Sequence, residues 1–253
     1  MRERKRRGNS RYYLFFLFAM LLVASIGLGA WYALNHLPHF NITLIQISGN
    51  SVVPDSLIFC RVDRYKGTNL FGVSSKEVNA NLGKISRIKD VKVRKHLLST
   101  LKLEIHERVG LLYVKSLDGS LFPVDEEAVV LANYTAIYKE DLPIFSTYLT
   151  DAQIKPGTKL AKANIQKVLA LHQRITREAP EFLPVISEYY MIDNIINIVD
   201  ARYGTRIIPC EDNLAKQLKR YQFVQDNGNI SRRSLVDLRF DNQVVVKAGD
   251  HEK

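Results

Sequence analysis

Cysteine is almost absent from this chain, with only Cys60 and Cys210 set far apart. That excludes a fold built on disulfides; two isolated buried thiols in separate domains are expected, with a bridge in an oxidising compartment as the alternative. The signatures of common catalysts are missing too: there is no phosphate loop, dinucleotide fingerprint, Gly-x-Ser-x-Gly elbow or His-Glu-x-x-His motif. Histidines number six, and the one close pair, His36 and His39, has no cysteine or nearby carboxylate. That pair reads as a polar linker better than as a metal site. Ser99-Thr100-Leu101-Lys102 matches a Ser-x-x-Lys pattern. The pattern needs a helix to bring Ser and Lys onto one face, and the alternation here is that of a strand. With no converging acid, base and nucleophile, a non-enzymatic protein without metal or cofactor is expected.

Charge is missing from one long run. Tyr12 to Leu34 holds no Asp, Glu, Lys, Arg or His, directly after MRERKRRGNSR. A bilayer core needs about 20 apolar residues of helix, so 12–34 is read as a transmembrane helix. Residues 1–11 carry +5 of the chain's +10, and no Lys or Arg follows the run until Arg61. Positive charge stays inside, which makes 1–11 a cytoplasmic basic tail and sends the bulk of the chain outside. A cleaved signal peptide is the rival reading, with Gly27-Leu28-Gly29-Ala30 as the place to cut. Its apolar core is usually about 7–15 residues. The longer run, and Trp31 and Tyr32 at its outer end, favour an anchor. The basic stretch beside it is a topology signal in preference to a nucleic-acid site, and the +5 left on the remainder does not imply a polyanionic partner.

Beyond the span, the length suits two modest domains. NITLIQISGN alternates as a strand, with Ile42, Leu44 or Ile45, and Ile47 apolar, up to a Gly49-Asn50 turn. Pro54-Asp55 opens a short helix, and Ser74 or Ser75 caps a second one bearing Val78, Leu82 and Ile85. Two strands follow, with Val91 and Val93 on one and Leu101, Leu103 and Ile105 on the other. His106-Glu107-Arg108 ends the second strand as a solvated or paired edge. Strand, helix, helix, strand, strand makes a compact α+β unit with a mixed sheet.

Past Arg108, strands at 110–115 and 121–124 flank an Asp118-Gly119 turn, and Val129 to Leu131 extends them. Helices are expected at 159–177 and 212–226, with strands at 185–192, 195–200 and 205–209. SLVDLRF and QVVVK close the chain as a hairpin whose last strand is a sheet edge. Asp237 and Arg239 share a face there, favouring an ion pair with helix residues over a docking surface. This second unit is read as an antiparallel sheet carrying two helices.

Four stretches, in order, resemble the bacterial cell-division family FtsQ, called DivIB in Gram-positive bacteria. They are ITLIQISGNSVV, ISRIKDVKVRKHLLSTLKLEIHER, LFPVD with Leu142-Pro143, and LVDLRFDNQVVVK. Leu97-Leu98, Val109-Gly110 and Pro209-Cys210 depart from the family's pattern, as in a divergent member. The resemblance implies an α+β fold class: a single N-terminal transmembrane helix, a POTRA domain at 41–108, then the family's β domain at 109–253. It implies a membrane-embedded scaffold of the septum that recruits FtsB- and FtsL-like single-span proteins, and other divisome proteins, to control septal peptidoglycan synthesis. Strand addition at the last edge is the physical mode. Carried over by position, Phe240 and Asn242 are partner contacts, and Val244 and Val246 lie along the docking strand. For Phe240, ordinary sheet-face packing is the alternative. Two other classes stand beside this one: a POTRA-containing adaptor in export or envelope assembly, and a membrane-tethered hydrolase for which no residue is indicated.

Overall fold

The computed structural model of the chain describes residues 10–96, 99–134, 140–210, 212–228, 230–240 and 243–248. Its first element is α1 (Ser10–His36). A soluble helix hides one stripe in a core. In α1 the side chains of Tyr13, Phe16, Met20 and Trp31 are all exposed, and the stretch Tyr12–Ala33 has a mean hydropathy of 2.3 with none of it buried. Its 22 residues span about 33 Å at 1.5 Å each, against a hydrocarbon core of about 30 Å. By length and composition α1 can cross a membrane.

The described chain forms two compact units. The first takes residues up to Asn50, Pro54–Leu82 and Asp90–His106. After α1 its elements are β1 (Leu44–Ser48), α2 (Asp55–Val62), α3 (Ser75–Leu82), β2 (Ile88–His96) and β3 (Thr100–Glu107), in the expected order. Pro54 stands just before α2 as its N-cap, extended at φ −62° and ψ 138°, where its missing N–H leaves no helical hydrogen bond unmade. The sheet runs β1-β3-β2, with β1 parallel to β3. Ile58 and Val62 of α2, Val78 and Leu82 of α3, and Leu101, Leu103 and Ile105 of β3 are all at most 1% exposed. Gly49 follows β1 at φ +87°, and a Cβ there would stand 2.5 Å from the Ile105 carbonyl oxygen. Only glycine fits that turn. On α3, the Asn79 side chain donates to the Val91 carbonyl and accepts the Val91 N–H, both at 2.7 Å. Since β2 is an outer strand, Asn79 supplies what a further strand would.

The second unit comprises Ser51–Val53, Gly83–Lys89 and the described residues from Glu107 onward. Its strands are β4 (Leu112–Lys115), β5 (Leu121–Val124), β6 (Ile144–Ser146), β7 (Ile186–Ile192), β8 (Ile195–Asp200), β9 (Arg206–Ile208), β10 (Leu235–Asp237) and β11 (Val245–Lys247). Helix α4 (Ala163–Glu178) lies between β6 and β7, and α5 (Leu214–Asn227) between β9 and β10. All eight strands form one sheet, ordered β11-β10-β9-β8-β7-β6-β4-β5.

That sheet is mixed, which corrects the antiparallel expectation. β4 with β6, β6 with β7, and β9 with β10 pair in parallel. Parallel neighbours need a long crossover, and α4 and α5 provide it for two of these pairs. β6 has only three residues, too few to show a period-two pattern, so the sequence reading passes over it.

One register line explains where the core sits. Phe122, Val114, Phe145, Tyr189, Ile198, Ile207, Val236 and Val246 stand opposite one another, one from each strand. From Val114 to Val236 each is at most 2% exposed. Ile165, Val168, Leu169 and Ile175 of α4 and Leu214, Leu218 and Tyr221 of α5 complete that core. Inside it the Tyr221 hydroxyl donates to Asp200 Oδ2 at 2.7 Å, while Oδ1 accepts the Arg202 and Tyr203 amides. Burial, with Asp200 adding to it, raises the Tyr221 pKa and keeps the phenol protonated. Arg87, 2% exposed, donates through Nε to the Ala132 carbonyl at 2.6 Å and grips both Glu140 oxygens at 3.0 and 2.9 Å.

Candidate functional site

The chemically suggestive residues of the sequence resolve into structural parts. Ser99 sits in a turn at φ 101° with its hydroxyl 2.7 Å from that of Thr43, and Lys102 is in β3, so the Ser-x-x-Lys match has no helix. Among the described residues no group of three or more His, Cys, Asp or Glu side chains converges to hold a metal. Both cysteines are unbonded and lie in different units. Cys60 is exposed and Cys210 half-buried, however, against the expectation of two buried thiols. Ile58 and Val62 take the inward face of α2, and Cys60 lies between them on the other side.

The His106-Glu107-Arg108 edge is more tightly held than a solvated strand end. His106 Nδ1 lies 3.0 Å from Asp90, and Arg108 Nη1 pairs with Asp125 at 2.5 Å and Glu127 at 2.7 Å. Glu107 accepts the amides of Ser51, Val52 and Val53 and the Ser51 hydroxyl. Burial pushes its pKa up, but those donors outweigh it and hold the carboxyl below its usual range.

Of the expected partner residues, Phe240, Val244 and Val246 lie at the end of the sheet bearing β10 and β11. β10 enters the sheet beside β9, its Val236 and the following Leu238 fully buried. Asp237 and Arg239 face the other way and pair with each other, Nη2 to Oδ2 at 2.6 Å. This corrects the expected pairing with helix residues: β10 ends at Asp237, whose carboxylate accepts the Arg239 backbone amide as well as its guanidinium, so a local turn holds the two together. The Arg239 hydrogen bond is the main cause that lowers the Asp237 pKa. Phe240 follows at 49% exposed, so sheet-face packing does not account for it. Asn242 lies outside the described residues.

β11 then pairs with β10 alone, through Val245 opposite Asp237, Val246 opposite Val236, and Lys247 opposite Leu235. Val244 precedes the strand and packs partly buried against the core. Val246 is different. It ends the apolar register line at 41% exposed, after six strands of buried partners. Alternation alone had left its direction open, and the pairing puts it on the core face. Next to this end is a 490 Å³ cleft bordered by Leu171 and Arg174 of α4, Ile195, Pro209, Cys210 and Arg239.

These features define a class: a chain with one span-length apolar helix, a small three-stranded α+β unit, and a mixed sheet whose last strand lies at an edge. The sequence matches the family described as POTRA domain, FtsQ-type, over residues 40–108. It is 27% identical over 129 residues to the cell division protein DivIB of Clostridium botulinum (strain Hall), covering 51% of this chain and 47% of that protein. It is 24% identical over 208 residues to the DivIB of Solibacillus silvestris, covering 80% and 67% respectively. It is 22% identical over 230 residues to the cell division protein FtsQ of Geotalea daltonii, covering 89% and 82%. The chain spans about half the length of the first of these relatives. The chain is thus similar to DivIB and FtsQ division proteins at 22–27% identity, and its residues 40–108 match the FtsQ-type POTRA family.

Proposed function

We propose that the protein is a non-catalytic scaffold of the division septum, anchored in the cytoplasmic membrane by α1 with its N-terminus inside. Residues 41–108 serve as its POTRA domain and residues 109–253 as its β domain. It recruits FtsB- and FtsL-like single-span proteins by strand addition along β11 and so helps control septal peptidoglycan synthesis. The names of the relatives support the division role, and the basic start before α1 supports the sidedness.

The observation that carries the docking edge is the apolar line ending at a half-exposed Val246. An added strand would continue that line by one position and pair with the outer backbone of β11. Phe240, 49% exposed beside it, offers an aromatic anchor at one end of the same edge. Anchoring raises the encounter rate, because partners with their own spans search a surface instead of a volume.

The test uses the full chain co-purified from membranes with an FtsB-like partner. Val246→Asp puts a charge at the end of the apolar line and is expected to weaken capture by more than about tenfold. Melting should not change, since the position is exposed. Val109→Asp, at a 71% exposed residue elsewhere, should bind normally. Full capture by Val246→Asp would remove the proposed edge.

A further inference from the structure

We propose that the cleft at the carboxyl ends of β4, β6 and β7 is a second docking site, for an acidic peptide segment of a partner protein anchored by apolar side chains. The proposal stands on residues remote from β11 in the sheet order and does not depend on the strand-addition reading.

β4, β6 and β7 are mutually parallel neighbours, so their carboxyl ends come out on one side. The crossover helix α4 begins at that same side. In mixed and parallel sheets this is where the chain leaves a crevice, because successive strands hand over to loops and helices there. The cleft measures 780 Å³, within the range of pockets that hold ligands. Phe145 and Ile165 form its apolar floor, both at most 2% exposed. Leu117, Tyr148 and Ile192 stand on its rim at 60%, 87% and 52% exposure. Single exposed apolar side chains are ordinary, whereas three around one cleft mark a contact surface.

Charge selects the occupant. Lys115 and Lys162 border the cleft, both exposed, and no Asp or Glu is among its described lining residues. The first turn of α4 carries no acidic side chain either. Just outside the lining, Glu188 accepts the Ser146 hydroxyl at 2.8 Å and Asp151 the Ser120 hydroxyl at 2.7 Å. An occupant with carboxylates over the lysines and apolar groups against Tyr148 and Ile192 matches both halves of the surface. A small anion would use the lysines and leave the rim uncovered.

The probe is a fluorescein-labelled dodecapeptide of alternating leucine and glutamate, with a lysine-for-glutamate version as control. Anisotropy is measured with the full chain in lipid nanodiscs. The acidic peptide should bind saturably, and the basic one should not. Lys115→Glu with Lys162→Glu should weaken binding by at least about tenfold, and Tyr148→Ser should also weaken it. Phe240→Asp, at the other edge, should bind as the parent does. Unchanged binding by the double lysine variant, or equal binding of the basic peptide, would overturn the site. Full displacement by millimolar inorganic phosphate would reassign it to a small anion and overturn the peptide reading. Loss of binding in Phe240→Asp alone would place the peptide on β11 and equally refute this proposal.

Discussion

Replacing Asn79 with alanine sets two physical effects against each other. Alanine is the best helix former and asparagine a poor one, so in α3 the change returns about 0.6 kcal/mol. Against it stand the two 2.7 Å hydrogen bonds to the Val91 amide and carbonyl. Each contributes about 1 kcal/mol net, and losing the side chain leaves both backbone groups partly buried without it. The loss is therefore about 2–3 kcal/mol, and the balance about 1–2 kcal/mol of destabilisation. In a domain of this size that lowers the melting temperature by about 5–10 °C. Thermal melts followed by circular dichroism measure it on the full chain in detergent. Amide exchange of the 88–96 peptide, read by mass spectrometry, shows whether β2 loosens first. Lys76→Ala, at an exposed α3 position, isolates the propensity effect and should melt slightly higher. If Asn79→Ala behaves like Lys76→Ala in both measurements, the side chain does not hold the outer strand and the reasoning fails.

Acid should act through Glu107. Its folded pKa lies below its ordinary 4.5, so the stability it contributes is complete above that value and fades as pH falls through the lower, folded one. Glu107→Gln should flatten the acid limb of a stability profile taken between pH 6 and 3, and an unchanged limb would clear Glu107 of the role. Arg87→Ala leaves Glu140 and the Ala132 carbonyl facing a void, with an expected cost of about 3–5 kcal/mol in urea unfolding. Arg87→Lys should recover little of it, because one ammonium cannot reproduce the two-oxygen grip on Glu140 and the Nε contact together.

The long periodic segments were legible from the chain alone. Leu101, Leu103 and Ile105 alternate over a full strand, α4 keeps its apolar stripe over four turns, and the span before them is unmistakable in composition. Strand direction was not legible by periodicity, since alternation is the same in parallel and antiparallel pairing. A better signal was present: α4 and α5 each sit between strands that end up adjacent, and a crossover of that length implies parallel neighbours. The closing hairpin was legible in position but not in facing. Val244 and Val246 share a side by alternation, yet only the pairing with Val236 tells that it is the core side. Arg87 was invisible because nothing local marks an arginine as buried; its partners lie 45 and 53 residues away. Asn79 was missed for the same reason, as a mid-helix asparagine reads simply as a poor helix former.

Three consecutive valines, Val244, Val245 and Val246, make up the approach to β11 and most of the strand. A strand is normally pinned because sliding it by one residue swaps its apolar set for its polar set. Here a slide that sets Val244 opposite Asp237 and Val245 opposite Val236 replaces valine with valine at both positions, whereas the opposite slide sets Lys247 opposite Val236. The short ladder to β10 thus encodes its own alignment weakly, and Gln243 and Lys247, flanking the run, are what resist a shift. An incoming strand that prefers the neighbouring alignment would meet little opposition from the side chains of β11. Under the proposed strand addition, the partner would then help set the alignment of β11 against β10.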